Sequence, residues 1–572
     1  MNIPRPEHPK PQFQRADWLN LNGQWQFQID NGCSGEERGL QNEGIALEGC
    51  ITVPFCPESK LSGVGHTDFM YGVWYKRTVN LETLCEKTLL HIGAADYHCK
   101  AFVNGQPVGE HKGGYVSFCF DITSALRPGQ NEIALYVRDD TRDRMIPSGK
   151  QAMRYSSHGC YYTRTTGIWQ TVWLEFLPQT HVEWIKYYPN ITDCSVTVEA
   201  QLCGQEELCC EIFFNGKTMG AYRQEKAAGA VHFTVPLAEK HLWQVGKGGL
   251  YDVTLRFGKD QVQSYFGLRQ VRLDGYRFLI NEKSVFQRLV LDQGFYPDGI
   301  YTAPADAELE ADILRSMAVG FNGGRLHEKV FEERFLYHAD RLGYLVWGEY
   351  PDWGLDHTYA DHIYGILPEW MEEVKRDFNH PAIVGWCPRN ETWDQKGRRQ
   401  YDPAIVMVYE VTKAMDPTRP CIDTSGNFHV KTDIFCVHDY NQDPVTFKEN
   451  YDRFMTDNAL YDQLCARYGV RQNYGGEAVF VSEYGGIRWA PGERTAQSWG
   501  YGTNVKDEED FFYRFKGLTD ALLDNDRMFG LCYTQLTDVE QEQNGLYTYD
   551  RKPKFEPERL RAIMARKAAI ED

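Results

Sequence analysis

The chain has 572 residues, and about 150 residues per domain points to three or four domains, although a barrel can run past 250 as one unit. With 42% hydrophobic, 25% charged and 14% aromatic residues it has material for several cores, and it fits neither a disordered nor a fibrous composition. The net charge of -19 repels phosphate backbones and anionic lipid, so neither nucleic acid nor a membrane is the expected partner.

No apolar run approaches the roughly 18 residues that span a bilayer. The opening MNIPRPEHPKPQFQRADW has no apolar signal-peptide core, so the expected location is the cytoplasm. The 16 cysteines include no Cys-x-x-Cys pair, and several lie in apolar runs, among them Cys119, Cys436 and Cys532. Buried reduced thiols are expected rather than a disulfide framework.

Up to about residue 272 the sequence reads as short strands with turn punctuation. GQWQFQID (Gly23 to Asp30), KTLLHIG, CKAFVNGQPVG, YVSFCFDIT, NEIALYVRD and TVWLEFL have strand lengths and strand patterning, and Asn104-Gly105 marks a hairpin. Near Leu177-Pro178 this set ends, which places a boundary at residue 180. VEWIKYYP, SVTVEAQL, CCEIFFNGK, VHFTVPL and YDVTLRFG then suit a small β-sandwich of about 90 residues over 181–272.

From 273 to 572 helical periodicity enters between apolar strand runs. Leu309, Ile313 and Met317 repeat at helical spacing, as do Trp370, Val374 and Phe378. Eight candidate strands begin near 287, 321, 344, 382, 419, 433, 477 and 528, and their number and spacing predict a (β/α)8 TIM barrel. The fold class is thus multidomain, two all-β units followed by a barrel. There is no internal repeat, phosphate loop or Rossmann glycine pattern, and no cofactor is expected.

A barrel concentrates function at the C-terminal strand ends, where the loops form a mouth. Those ends deliver Asp292, Arg325, His327, Glu349, Asp352, Asn390, Glu391, Asp423, His438, Asp439, Tyr440, Glu483, Tyr484, Gln535 and Asp538. Glu391 and Glu483 each close an uncharged strand run, where a charge needs a partner or a function. Two carboxylates flanking an anomeric carbon are the machinery of glycoside hydrolysis. His327 and His438 sit on different strands without ligand spacing, so no metal is expected.

Longer motifs carry a family resemblance. NHPAIVGWCPRNETW (Asn379 to Trp393) resembles the acid/base segment of glycoside hydrolase family 2, and VFVSEYGG (Val479 to Gly486) resembles its nucleophile segment. YYTRTTGIWQTVWLE, RFLINEKSVFQRLVLDQGF, DRLGYLVWGEYP and NGLYTYDRKPK are similar to further family segments in order. The resemblance implies a jelly-roll domain over 1–180, an immunoglobulin-like sandwich over 181–272 and a catalytic barrel. It implies Glu391 as general acid/base, Glu483 as nucleophile, and retention of configuration with carboxyl groups about 5 to 5.5 Å apart. Asn390 would bond the sugar 2-hydroxyl and Tyr440 would contact the nucleophile, while Arg325 would brace the nucleophile or its neighbours.

Asp292 and His327 are placed among the sugar-binding residues, and Trp353, Trp393 and Trp489 offer indole faces for stacking. The Asn-x-Lys carboxylate clamp of the β-glucuronidases is absent from EQEQNGLYTYDRKP. The longer β-galactosidases add domains after the barrel and use a metal, whereas this chain ends at Asp572. The expectation is an exo-acting retaining β-glycosidase, galacto-configured sugar favoured, acting on a β-glycoside or oligosaccharide. One alternative is a β-uronidase holding the substrate carboxylate through Arg389, for which the bland reading is an ion pair with a rim acid. The other is an inactive carbohydrate-binding protein. Homo-oligomerisation is left open.

Overall fold

The computed structural model describes residues 3–490 and 498–571. Between Trp18 and Leu177 the chain forms two packed antiparallel sheets, one of four and one of six strands. Gly72–Leu81 and Gly129–Arg138 pair over their whole length at the centre of the larger sheet. Their inward residues, with Trp25, Ile92 and Leu174, make one buried core. Asn104 and Gly105 both take positive φ in the hairpin joining His98–Val103 to Gln106–Lys112, the primed turn that matches strand twist.

The second unit is built on a longer device than the sequence suggests. SVTVEAQL and CCEIFFNGK, read as two strands, merge into one strand, Ser195–Phe214, which pairs Lys217–Pro236 along most of its length. Register shifts between Leu202 and Leu208 bend it, so its first half also pairs His181–Asn190 and its second half Leu250–Phe257. A small meander, Val271–Asp274, Arg277–Ile280 and Lys283–Ser284, leads to the barrel.

Seven barrel strands form one parallel sheet: Gln287–Asp292, Gly323–Leu326, Leu345–Glu349, Ile383–Cys387, Ile434–Asp439, Ala478–Gly485 and Met528–Thr534. Every residue in them is buried, as expected for parallel strands covered on both faces. The expected fifth strand, near 419, is reduced to two parallel bridges, Trp386 with Cys421 and Asn390 with Ser425. Local chemistry explains the loss. Pro420 has no N–H to give, and the Asp423 carboxylate accepts from the backbone of Thr424, Val430 and Lys431, while Asp433 takes the N–H of Cys421.

Helices α1 (Asp306–Ala318), α2 (Glu333–Leu342) and α3 (Ile363–Asp377) wrap the strands. α1 buries Leu309 and Ile313, and α3 buries Trp370 and Val374. Inside the barrel Trp347, Phe480 and Phe529 stack in a row below the mouth. Gly385 is required opposite them, because a Cβ there would run into the Trp347 indole. All 16 cysteines are free; Cys436 and Cys532 are buried as expected, but Cys119 is exposed on Phe118–Asp121 at the edge of the four-stranded sheet. Among the described residues no helix is long and apolar enough to cross a membrane.

An N-terminal strap joins the units. Arg5 bonds Glu332 beside α2, Gln12 bonds the carbonyl of Asn379, and Arg15 is buried between Asp260 and Glu175, also donating to the carbonyl of Val182. Two carboxylates thus depend on one guanidinium out of water. Arg15→Met should lower stability by about 3–5 kcal/mol, the usual cost of stranding buried charge. Calorimetry of the variant showing an unchanged melting temperature would remove this assignment.

Candidate active site

The site is built around a cation inside the barrel. Arg325, at the end of the second strand, is 1% exposed and cannot leave its charge unpaired. Its Nε donates to Glu349, Nη1 to the Ser482 carbonyl and Glu483 Oε1 at 2.9 Å each, and Nη2 to Asn390 Oδ1 at 2.8 Å. One planar fork therefore fixes groups from the third, fourth and seventh strands. Glu349 also receives His327 Nδ1 at 2.9 Å and the N–H of Glu328 at 3.2 Å. Burial, helped by like-charged Glu483, pushes Glu349 up to about 7 against the pull of Arg325.

Backbone irregularities aim the two singled-out glutamates. The ladder between the seventh and eighth strands shifts between Val481 and Tyr484, and the one between the sixth and seventh shifts at His438. Such bulges re-aim side chains next to functional sites. Glu391 follows the fourth strand with φ +49°, a left-handed conformation that costs a residue with a Cβ about 1–2 kcal/mol. Its N–H bonds the carbonyl of Ser425 at 2.9 Å, and the N–H of Asn390 bonds Asp352 at 2.8 Å, which hold the turn.

These devices bring Glu391 and Glu483 face to face. One oxygen of each carboxylate and a His438 ring nitrogen all lie within 4.8 Å of one another. His438 Nδ1 stands 2.9 Å from Glu391 Oε1 and 3.4 Å from Glu483 Oε2, while its Nε2 meets Ser425 Oγ at 3.0 Å. Tyr440 donates to Glu483 Oε2 and lies flat against Tyr501, ring centres 3.5 Å apart. Burial would raise the Glu483 carboxyl, but His438, Arg325, His327 and Lys150 together hold it well below the usual carboxylate range. His438 is raised, burial notwithstanding, by Glu483 and Glu391. The Glu391 side chain is 17% exposed against 5% for Glu483, so the pair opens to solvent on the Glu391 side.

The other expected residues divide. Arg325, Asn390, Tyr440 and His327 join the pair, His327 Nε2 lying 3.9 Å from Glu483. Trp393 is 39% exposed on the rim, two residues beyond Glu391. Trp353 donates to the Asn390 carbonyl at 3.0 Å, whereas Trp489 packs on Phe555. Asp292 is not brought to the pair. It accepts from the N–H of Gly294, neighbours Asp312, Arg551 and Lys329, and is raised by burial to about 6.

Arg389 is not at the mouth either. It is wholly buried, its Nη2 meets His362 Nε2 at 3.2 Å, and among the described residues neither Nε nor Nη1 has a hydrogen-bond partner. No carboxylate among the described residues pairs with it, so the rim ion pair is absent as well. Burial lowers it to about 10. The alternation of the chain after Cys387 turns Arg389 toward α3 while Asn390 faces Arg325.

Sequence reasoning missed two contributors. His438 was a strand-end histidine with no evident partner, and only the bulge at Val437–His438 sets it between the glutamates. It also makes Glu391, His438 and Glu483 the residues of this site that could hold a metal ion, although each donor is engaged in the hydrogen bonds above. Lys150 comes from the first β unit, and nothing in its sequence neighbourhood signals a site in the barrel. Its loop is clipped to the mouth by the N–H groups of Ser148 and Gly149 on the Trp353 carbonyl, at 2.7 and 3.0 Å. Gly149, at φ +52°, has no room for a Cβ, which would press on the Glu328 carbonyl.

Residues 66–176 match the sugar binding domain of the glycosyl hydrolases family 2, and residues 357–474 match that family's TIM barrel domain. The chain belongs to glycoside hydrolase family 2. It is an O-glycosyl hydrolase and, within that family, a retaining β-glycosidase. A β-glucuronidase of Paenibacillus borealis is 24% identical over 82% of this chain and 82% of its own length. A β-galactosidase of Thermoanaerobacter pseudethanolicus is 26% identical over 68% of this chain, which spans only 54% of that relative. The crystal structure of Ruminococcus gnavus β-glucuronidase superposes with a TM-score of 0.79 at 17% identity, covering 99% of this chain and 100% of that one, a likeness of fold alone.

Glu483 ionises more readily in the folded protein than when unfolded, so its charge stabilises the fold fully above about pH 4.5 and that contribution is lost progressively as pH falls below this value toward the lower folded-state one. Between about pH 6 and pH 3.5 the melting temperature of the wild type should therefore drop faster than that of Glu483→Gln. Parallel curves in differential scanning calorimetry would show that the folded state does not favour this carboxylate.

Proposed function

We propose that this family 2 enzyme is exo-acting and cleaves a single terminal β-linked sugar by double displacement, with Glu391 as acid/base and Glu483 as nucleophile. The carboxylate pair within 4.8 Å carries this reading, because inverting enzymes hold their acids about 6.5–9.5 Å apart to admit a water. Glu483, ionised and oriented through both oxygens, attacks the anomeric carbon, and Glu391 gives its proton to the leaving oxygen. The resulting glycosyl ester on Glu483 is then hydrolysed by a water whose proton returns to Glu391. Asn390 supports the assignment: its Oδ1 is committed to Arg325, which leaves the buried Nδ2 without a protein partner and free to donate to the sugar 2-hydroxyl. The jelly-roll loop clipped across the mouth suits a pocket for one terminal residue.

For the sugar, the reading moves from the neutral galacto-configuration to a β-uronide. The relatives compared include β-glucuronidases of Paenibacillus borealis and Streptococcus agalactiae, the latter 22% identical over 94% of this chain. A neutral β-galactoside is the second reading, favoured by the β-galactosidase relative.

Glu483→Ala should lower kcat on aryl β-glycosides by several orders of magnitude, and a 2-fluoro glycosyl fluoride should add one sugar to Glu483 of the wild type, detected by peptide mass spectrometry. Glu391→Ala should slow substrates with poor leaving groups far more than dinitrophenyl glycosides, which need no protonation. Labelling elsewhere, or an equal loss on both leaving groups, would overturn the roles.

A further inference from the structure

The segment where the glucuronidase clamp would fall offers no cation. Glu542 and Asn544 occupy it, both buried: Glu542 accepts from Tyr162 OH at 2.5 Å and from Asn544 Nδ2 at 3.0 Å, and Asn544 accepts from Gln535 at 2.8 Å. This acidic and amide cluster carries a carboxylate and no positive charge to pair with a substrate carboxylate. Arg389, the other guanidinium considered, is turned away toward His362. A uronide would need its positive partner elsewhere in the mouth.

Lys150 is a cation at the mouth. It is 6% exposed, yet among the described residues its Nζ makes no hydrogen bond and no ion pair. It lies over the face of Trp353, 3.8 Å from Nζ to the ring centre. That indole is itself fixed on the carbonyl of Asn390, next to Glu391. The ammonium influences Glu483, His327, Glu542 and Cys160, groups that surround the carboxylate pair. Against burial, Cys160, Glu542, Glu483 and Glu328 favour its charge, and with no hydrogen bond to the described residues its three donors are open to a ligand. Resting on the uronide reading above, we infer that Lys150, supplied by the jelly-roll loop, binds the carboxylate of the terminal sugar and sets preference for β-uronides over neutral β-glycosides.

The inference also explains why the loop is held so tightly. A specificity contact made across two domains is only as accurate as their junction, and the Ser148 and Gly149 bonds to the third barrel loop fix that junction at the lysine itself.

The test is the ratio of kcat/KM on para-nitrophenyl β-galacturonide and β-glucuronide to that on the β-galactoside. The uncharged aglycone ensures that only a carboxylate on the sugar is read. In Lys150→Met this ratio should fall on the order of 10- to 100-fold, the worth of a charge-assisted hydrogen bond, with Lys150→Arg keeping more of it. An unchanged ratio in Lys150→Met, with uronides still cleaved, would overturn the role of Lys150 and leave the uronide reading standing. A wild-type enzyme that cleaves the galactoside but neither uronide would instead remove the uronide reading itself. Should Lys150→Met not fold, inhibition of the wild type reads the same contact: galacturonate or glucuronate should bind about ten times more tightly than galactose, and equal inhibition would count against it.

Discussion

One guanidinium inside a barrel organises the chemistry of this protein. Arg325 is buried where water cannot solvate it, so the fold must supply acceptors, and it supplies them from three different strands at once: Glu349, Glu483 with the Ser482 carbonyl, and Asn390. The requirement to satisfy that charge fixes one oxygen of Glu483, and the same fork takes the Asn390 amide oxygen and leaves its nitrogen without a hydrogen-bond partner among the described residues. Three acids, Glu349, Glu391 and Glu483, outnumber the one guanidinium, and His438, raised by Glu483 and Glu391, offsets part of the excess on the side of Glu391. The result is a pair of carboxylates with different surroundings, one locked by cations and a phenol, the other opening to solvent. Differences of that kind are what allow two chemically identical groups to serve opposite roles.

The arrangement depends on more than the barrel. The pocket wall includes a loop of the first β unit, seated on the third barrel loop through backbone bonds that only Gly149 permits at that distance. The N-terminal strap, with Arg15 between Asp260 and Glu175, locks the two β units to each other, and Arg5 and Gln12 reach the barrel. Charge-assisted bonds at each junction resist relative motion, so a lysine from one domain can be held accurately over a tryptophan from another. Seen in this light the β units are part of the pocket's construction.

Much of this was legible along the chain. Buried parallel strands read as continuous apolar runs such as AVFV and AIVGWC, and the polar residues that end them announced a mouth. The departures have local causes. The expected fifth strand was lost to proline and to Asp423 bonding its own backbone, and two short strands of the second unit fused because a bulge bends the chain without ending it. Asp292 and Arg389 misled for a related reason. Strand-end position is a matter of counting, but which way a side chain turns after the last ladder bond depends on bulges and loop contacts.

The sequence by itself determined the β-rich units, the barrel and the strand-end places of Glu391 and Glu483, because hydrophobic period and motif spacing are properties of a line. Only the tertiary structure decided that His438 stands between those acids, that Arg389 is withdrawn and that Lys150 crosses from another domain to the mouth. Those are distances between residues remote in sequence, set by how bulged strands and clipped loops close in space, and no pattern along the chain encodes them.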